Sequence, residues 1–288
     1  MLFRSESKRA AGSLTPIDPI TGKPGQVIPV ADAYNMYFTP NGKSAIVVAE
    51  EIKQLEFRDP HTMALQSVLK VPECGGINHA DFSLDESYVI FTCEFAGSIV
   101  KIDLKKMEIV GYLKLICTTP DGKTLPHSMP QDIRISPDGR IFYVADMLAD
   151  GIFIIDGERF MQTGFIKTGV GAHGLYPSRD GSHLYIANRG SHSVHGKRNG
   201  PGSVSILDFK TQAVEKTWPI PGGGSPDMGN VSADGKFLWL SGRFDDVVYA
   251  IDTATGDTKK IPVGAEPHGL TVWPQPGQHS YGHTGNMR

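Results

Sequence analysis

Along this chain, β-branched and aromatic residues gather into short runs fenced by Gly, Pro, Asp and Asn, and no stretch keeps the 3.6-residue spacing of an amphipathic helix. Six of these runs close on an aspartate: Pro16-Ile17-Asp18, Phe57-Arg58-Asp59, Lys101-Ile102-Asp103, Ile154-Ile155-Asp156, Ile206-Leu207-Asp208 and Ala250-Ile251-Asp252. Successive aspartates lie 41, 44, 53, 52 and 44 residues apart. A period of this length with strand-like runs predicts a repeat architecture.

A second mark recurs before another run in each unit. It reads Pro40-Asn41-Gly42, Leu84-Asp85-Glu86, Pro137-Asp138-Gly139, Arg179-Asp180-Gly181 and Ala233-Asp234-Gly235. Asn-Gly and Asp-Gly suit two-residue hairpin turns, because both tolerate left-handed dihedrals. The runs that follow are Ala45-Ile46-Val47-Val48, Tyr88-Val89-Ile90-Phe91, Ile141-Phe142-Tyr143-Val144, Leu184-Tyr185-Ile186 and Phe237-Leu238-Trp239-Leu240. Each unit then has a polar loop, the strand ending on the marker Asp, a turn such as Thr253-Ala254-Thr255-Gly256, and a closing strand such as Lys259-Lys260-Ile261-Pro262-Val263. Four antiparallel strands per unit, repeated, predict an all-β fold: a β-propeller.

The last full unit, from Asp234-Gly235-Lys236-Phe237 through Ile251-Asp252-Thr253-Ala254-Thr255-Gly256 to Ile261-Pro262-Val263-Gly264, resembles the YVTN (YncE-like) β-propeller repeat, as does Asp180 to Asn188. The resemblance runs over residues 12–288 and speaks to fold, since propellers host unrelated functions. Residues 12–30 hold the third and fourth strands of a unit, and 266–288 hold a first strand, Gly269-Leu270-Thr271-Val272, with a weak second around His279-Ser280-Tyr281. Paired, these half-units give a six-bladed propeller without open sheet edges. Because the family more often has seven blades, a truncated seven-bladed propeller is the alternative. The expected organisation is a disordered or non-native segment over 1–11 and one propeller domain over 12–288. The chain enters the repeat partway through a unit, which leaves open whether the parent gene has more N-terminal sequence.

Two stretches break the period, Thr118 to His127 and Arg189 to Gly202; the second is polar and Gly-rich and is expected to be a mobile surface loop. Composition is that of a soluble globular protein, 40% hydrophobic and 20% charged, with net charge −3. That balance points to no nucleic-acid partner and to no anionic membrane surface, and no apolar run reaches the ~20 residues of a membrane span. Cys74, Cys93 and Cys117 form no CxxC or CxxCH, which gives no support to a zinc knuckle or covalent haem. They read as buried thiols, with one disulfide and a free thiol as the alternative. HExxH, GxSxG, Walker and GxGxxG motifs are absent. Trp218, Trp239 and Trp273 are expected to pack between blades.

Candidate chemistry follows from repeat position. Seven residues before the turn Asp or Asn stand Tyr34, Asn78, Gln131, His173 and Asp227, with His79 and Asp132 one place later; Pro267-His268-Gly269 matches Ala172-His173-Gly174. In the resembled fold these positions open the innermost strand of each blade, at one mouth of the central channel. The loop after the second strand returns to that face with Glu50, Glu51, Glu94, Asp146, Arg189 and Arg243, and His127 could reach the same rim. His79, His173, Asp227 and His268 are the candidate ligands for a divalent transition metal, Zn²⁺, Cu²⁺ or Fe²⁺. Asn78, Gln131, Asp146, Arg189 and Arg243 are the candidate contacts for a small molecule or anion. A solvated polar channel with no ligand is the bland alternative.

The expected function is a binding or scaffold protein, extracytoplasmic as the resemblance implies, with a protein partner left open. The alternatives are a lactonase-like hydrolase or lyase using the channel-mouth histidines, and a metal-dependent redox protein.

Overall fold

The structure is a computed structural model, and residues 11–118, 124–195 and 200–272 are described. Every described element is a strand. The N-terminal strands β1 (Ala11–Leu14) and β2 (Ile28–Ala31) form a two-stranded sheet. The first full blade is β3 (Ala33–Phe38), β4 (Ala45–Ala49), β5 (Gln54–Arg58) and β6 (Leu65–Lys70). The second is β7 (Ile77–Phe82), β8 (Tyr88–Cys93), β9 (Ser98–Asp103) and β10 (Glu108–Lys114). The third is β11 (Pro130–Ile135), β12 (Ile141–Asp146), β13 (Gly151–Asp156) and β14 (Met161–Lys167). The fourth is β15 (Ala172–Pro177), β16 (His183–Asn188), β17 (Ser203–Asp208) and β18 (Ala213–Pro219). The fifth is β19 (Pro226–Val231), β20 (Phe237–Gly242), β21 (Val247–Asp252) and β22 (Thr258–Pro262).

Each blade is an antiparallel meander in chain order, so five four-stranded sheets and one two-stranded sheet make up the propeller. The first strands of successive blades touch each other (β7 with β11, β11 with β15, β15 with β19), which makes them the innermost ring. Burial falls outward. Strands β7, β11 and β19 are buried at every position, whereas β6 is exposed along nearly its whole length. The sequence pattern follows this gradient: middle strands such as β4 are near-continuous apolar runs, inner strands such as β7 and β11 are buried yet carry polar residues, and outer strands read as mixed. Apolar clusters fill the spaces between blades. One joins Tyr185, Val204 and Trp218 of the fourth blade to Leu238, Tyr249 and Ile251 of the fifth. Trp218 stacks on Tyr185 of its own blade, with ring centroids 5.8 Å apart, and its membership of the cluster shared with the fifth blade makes it the expected inter-blade tryptophan. Trp239 is half-buried beside Phe237 of its own strand, and Trp273 lies outside the described residues.

The marker aspartates prove to be turn caps. Asp252 Oδ1 accepts hydrogen bonds from Ala254 N (2.9 Å) and Thr255 N (3.0 Å), and Asp59 and Asp103 hold the equivalent backbone groups. Four residues past each marker the chain takes a positive φ: at Gly22, Met63, Met107, Phe160, Gln212 and Gly256. A short acceptor and a left-handed residue at that spacing close the turn between the third and fourth strands, which is why the aspartate, rather than any particular apolar residue, sets the period.

Three expectations need correction. The Asp-Gly marks are not two-residue hairpins. Strand β11 ends at Ile135 and β12 begins at Ile141, and Gly139 alone takes the positive φ while Asp138 Oδ1 accepts from Ser136 Oγ (2.6 Å). A serine two places earlier therefore makes a longer capped turn. Next, Gly269–Val272 forms no strand: its region is tied by side chains instead, with Ser241 Oγ donating to His268 O (2.6 Å) and Val272 N donating to Asn230 Oδ1 (3.1 Å). The remainder of that half-unit, 273–288, lies outside the described residues, as do 1–10. Finally, Cys74 and Cys93 form a disulfide, with Cα atoms 4.8 Å apart, and Cys117 is free and buried.

The cap analysis yields a test. Asp252→Ala should lower unfolding stability by about 1 kcal/mol, the usual cost of a lost side-chain cap, with Asp252→Asn retaining most of it. Urea unfolding of the two variants beside the parent chain checks this.

Candidate functional site

The inner strands all carry a β-bulge near their start. Register slips by one residue between Ala33 and Asn35, Ile77 and Ala80, Pro130 and Ile133, Ala172 and Gly174, and Pro226 and Gly229. A bulge adds a residue that the ladder cannot pair and re-aims side chains beside it. The slipped segments contain Tyr34, Asn78 and His79, Gln131 and Asp132, His173, and Asp227. The repeat thus places its polar positions where the backbone departs from regular pairing.

Asp227 is the hub. It is fully buried, and its Oδ1 accepts from Arg189 Nη2 (2.9 Å) and Nε (3.3 Å). His173 Nδ1 lies 2.9 Å from the same oxygen. Arg189 Nη2 also contacts His173 Nε2. A guanidinium can only donate, so Nε2 accepts and the imidazole proton sits on Nδ1, facing Asp227. On the other side, Asp227 Oδ2 is 3.9 Å from both Arg243 Nη1 and His268 Nε2. It has no hydrogen-bond partner among the described residues, and neither has buried Arg243 Nε. The His173 and His268 rings stand edge to face, 6.4 Å between centroids.

Burial would raise the Asp227 carboxyl, but Arg189 and the two imidazoles hold it well below the usual carboxylate range. Burial, reinforced by Arg189, lowers His173 to about 4. Burial lowers His268 to about 3 against the pull of Asp227. Both imidazoles are therefore neutral at pH 7.

Across the mouth stands an acidic group. Glu94, 4% exposed, accepts from Gln131 Nε2 on Oε1 (3.0 Å) and from Asn78 Nδ2 on Oε2 (2.9 Å). Burial raises its carboxyl, opposed by Gln131, Arg189 and Asn78. Glu50 is pushed to about 8 by burial and then by Glu94, Asp32 and Glu51. Burial, then Glu50 and Glu94, push the Tyr34 hydroxyl well above its usual range, with Arg243 opposing.

The expected residues therefore divide. His173, Asp227, His268, Arg189 and Arg243 meet in one cluster, and Asn78 and Gln131 meet at Glu94. His79 stands apart, its ring 6.5 Å from Tyr34 and its Nδ1 3.5 Å from Asn35 Nδ2. Asp146 is spent on structure: it accepts from Ser128 Oγ, Met129 N, Leu148 N and Ala149 N. His127 is exposed. The four candidate metal ligands do not draw to one centre. Among the described residues, the group of three or more His, Cys, Asp or Glu side chains whose ligand atoms all lie within 4.8 Å of one another is His183, Asp208 and Glu215, at the opposite end of the fourth blade. The described part of the 189–202 insert is packed: Ser191 is fully buried and His192 Nε2 is 2.6 Å from Asp150 Oδ1. Residues 196–199 lie outside the described residues.

Sequence reasoning missed Arg134, which lies fully buried on β11 and donates from Nη1 to Asp132 Oδ1 (2.7 Å). The available signal was the Asp132-x-Arg134 spacing, which puts both side chains on one face of a strand.

Blades, inner ring and polar mouth together define a β-propeller with a polar channel mouth. The chain belongs to the YncE-like β-propeller family, whose model matches residues 115–276. Among solved structures, it is similar to hydrazine synthase of Kuenenia stuttgartiensis, at 18% identity over 82% of this chain and 68% of that one, TM-score 0.66. It is also similar to a catalytically inactive virginiamycin B lyase from Staphylococcus aureus with quinupristin, at 16% identity over 84% and 76%, TM-score 0.64. A candidate 6-phosphogluconolactonase from Bacteroides fragilis shares 17% identity over 92% and 81%, TM-score 0.66. At these identities the likeness is one of fold. No curated protein sequence matches the chain.

Two outcomes are expected from the site's electrostatics. Asp227→Asn leaves Arg189 buried without its counter-charge and should cost about 3–5 kcal/mol of stability, the range for a broken buried pair. Glu50 binds its proton more tightly folded than unfolded, so its effect on stability is unfavourable above an unfolded pKa of about 4.3 and grows until about pH 8. The stability of Glu50→Gln relative to the parent should therefore rise between pH 5 and pH 8, as read by urea midpoints at each pH.

Proposed function

We propose that this propeller is a binding protein for a small organic anion, taken at the channel mouth by Arg243 with His268 and Asp227. The observation that carries this reading is the pair of buried polar atoms left without hydrogen bonds among the described residues, Arg243 Nε and Asp227 Oδ2. Arg189 is fully engaged by Asp227, His173 and Ser193, whereas Arg243 reaches Asp227 only at 3.9 Å. A ligand carboxylate can accept from Arg243 in the bidentate manner that guanidinium favours. A ligand hydroxyl can donate to Asp227 Oδ2, which lies beside His268 Nε2.

A metal-centred reading has less support. Both nitrogens of His173 are faced by protein groups, one of them the Arg189 cation, which stands where a metal bound to Nε2 would have to lie. An enzymatic reading has one observation in its favour: Glu50, at about 8, is a protonated acid at neutral pH beside the mouth. The lyase and the candidate lactonase among the similar structures agree with that reading. The histidines speak against it, since bases near 3 and 4 are weak proton acceptors at pH 7. The Cys74–Cys93 disulfide supports an oxidising, extracytoplasmic compartment.

Titration calorimetry with acetate, lactate and gluconate tests the anion reading. At least one should bind the parent chain, and Arg243→Ala should weaken that binding tenfold or more. Binding untouched by Arg243→Ala would overturn it. So would a stoichiometric transition metal lost in the His173→Ala/His268→Ala double variant.

A further inference from the structure

The mouth is charged in two halves. Arg189 and Arg243, each the residue after the second strand of its blade, gather with the imidazoles round Asp227 on the fourth and fifth blades, and Glu50 and Glu94 hold the same position on the first and second. Among the described residues neither Glu94 nor Glu50 forms an ion pair: Glu94 is held by two neutral amides, Asn78 and Gln131. Asn78 is 1% exposed, and while its Nδ2 donates to Glu94, its Oδ1 has no hydrogen-bond partner among the described residues. With Glu50 ionised, an amide oxygen and two carboxyl groups make a niche of acceptors.

We propose that the mouth takes a zwitterionic small molecule, its carboxylate on Arg243 and its ammonium group among Glu94, Glu50 and Asn78 Oδ1. This rests on the anion-binding reading and deepens it by naming the ligand class. An ammonium carries three donors and no acceptor, which matches the niche group for group. The raised carboxyls agree with the geometry, because a site that resists ionisation for lack of a cation is stabilised when one arrives. Glu50 faces Glu94, Asp32 and Glu51, all of one sign, and Glu94 feels Arg189 and Arg243 from across the mouth. A bound ammonium therefore pulls Glu50 toward its ionised form, and the proton it sheds passes to solvent.

The experiment compares ω-amino carboxylates from glycine to 6-aminohexanoate with the alkylamine and the alkyl carboxylate of matching length, by titration calorimetry at pH 7 in two buffers of different ionisation heat. One chain length should bind at least tenfold more tightly than both of its half-ligands, with proton release. Glu50→Gln should abolish the proton release, and Glu94→Gln should reduce the affinity to that of the plain carboxylate. Since Glu94 is buried, circular dichroism of its variant verifies folding, and Glu50→Gln stands as the second probe. If carboxylates bind through Arg243 and the amine adds nothing, the zwitterion inference falls and the anion reading survives. If no carboxylate binding depends on Arg243, the anion reading falls and this inference with it.

Discussion

The first strand of every blade has one edge that no strand covers, and the fold depends on how those edges are satisfied. An unpaired backbone N–H buried in the ring would cost about 1–3 kcal/mol. Here the blades answer for one another. Tyr37 Oη accepts from Ala80 N (3.0 Å), Asp81 Oδ2 from Ile135 N (2.9 Å), Asp132 Oδ2 from Leu175 N (2.9 Å), Tyr176 Oη from Gly229 N (2.8 Å), and Asn230 Oδ1 from Val272 N (3.1 Å). Each blade thus supplies a polar side chain to the backbone of the next. The bond is directional, so it fixes the spacing of the ring more narrowly than the apolar clusters between the inner and middle strands of neighbouring blades can.

That constraint also explains the polarity of the channel. Side chains on the middle of the inner strands are committed to inter-blade bonds, and Asp132 needs Arg134 beside it to remain charged in a fully buried place. Residues at the bulged starts of the strands are released from the ladder, and these form the mouth. The two layers differ in what they can do. The deeper one is closed on itself and structural. The outer one contains three buried atoms without a hydrogen-bond partner among the described residues, Asp227 Oδ2, Arg243 Nε and Asn78 Oδ1.

Much of this was legible in the sequence, for physical reasons that differ by feature. The blade period could be read because a turn needs an acceptor and a left-handed residue at fixed spacing, and Asp252 to Gly256 shows both. The ring of mouth positions could be read because equivalent places in a repeat become neighbours in a ring. The bulges could not be read: Ala172-His173-Gly174 alternates no differently from a regular strand, and the slip arises from closing the ring. Which candidates would join was also hidden. His79 and His173 look alike along the chain, yet Tyr34 and Asn35 claim one while Arg189 and Asp227 claim the other. Asp146 resembled a mouth ligand, but the chain leading into β11 supplies two backbone or hydroxyl donors that consume it. The disulfide was equally out of sight, since nothing in the spacing of three cysteines selects a pair.

The disulfide bears on the site because of where it falls. Cys74 leads into β7, which carries Asn78, and Cys93 ends β8 one residue before Glu94. The bond therefore ties together the two segments that build the acidic half of the mouth. By loop length it stabilises the folded chain by about 3 kcal/mol, but its position matters more than its energy. Glu94 is a buried carboxyl that forms no ion pair among the described residues, and admitting water by moving its neighbours apart would relieve it. A covalent link between the strand that bears Glu94 and the loop that delivers Asn78 opposes that relaxation, as a fully buried sulfur pair packed against Thr92 O can. Strain-prone electrostatics survive in proteins where the surrounding structure over-determines them, and a buried acid held in place in this way is suited to receiving a positive charge rather than to escaping its burial.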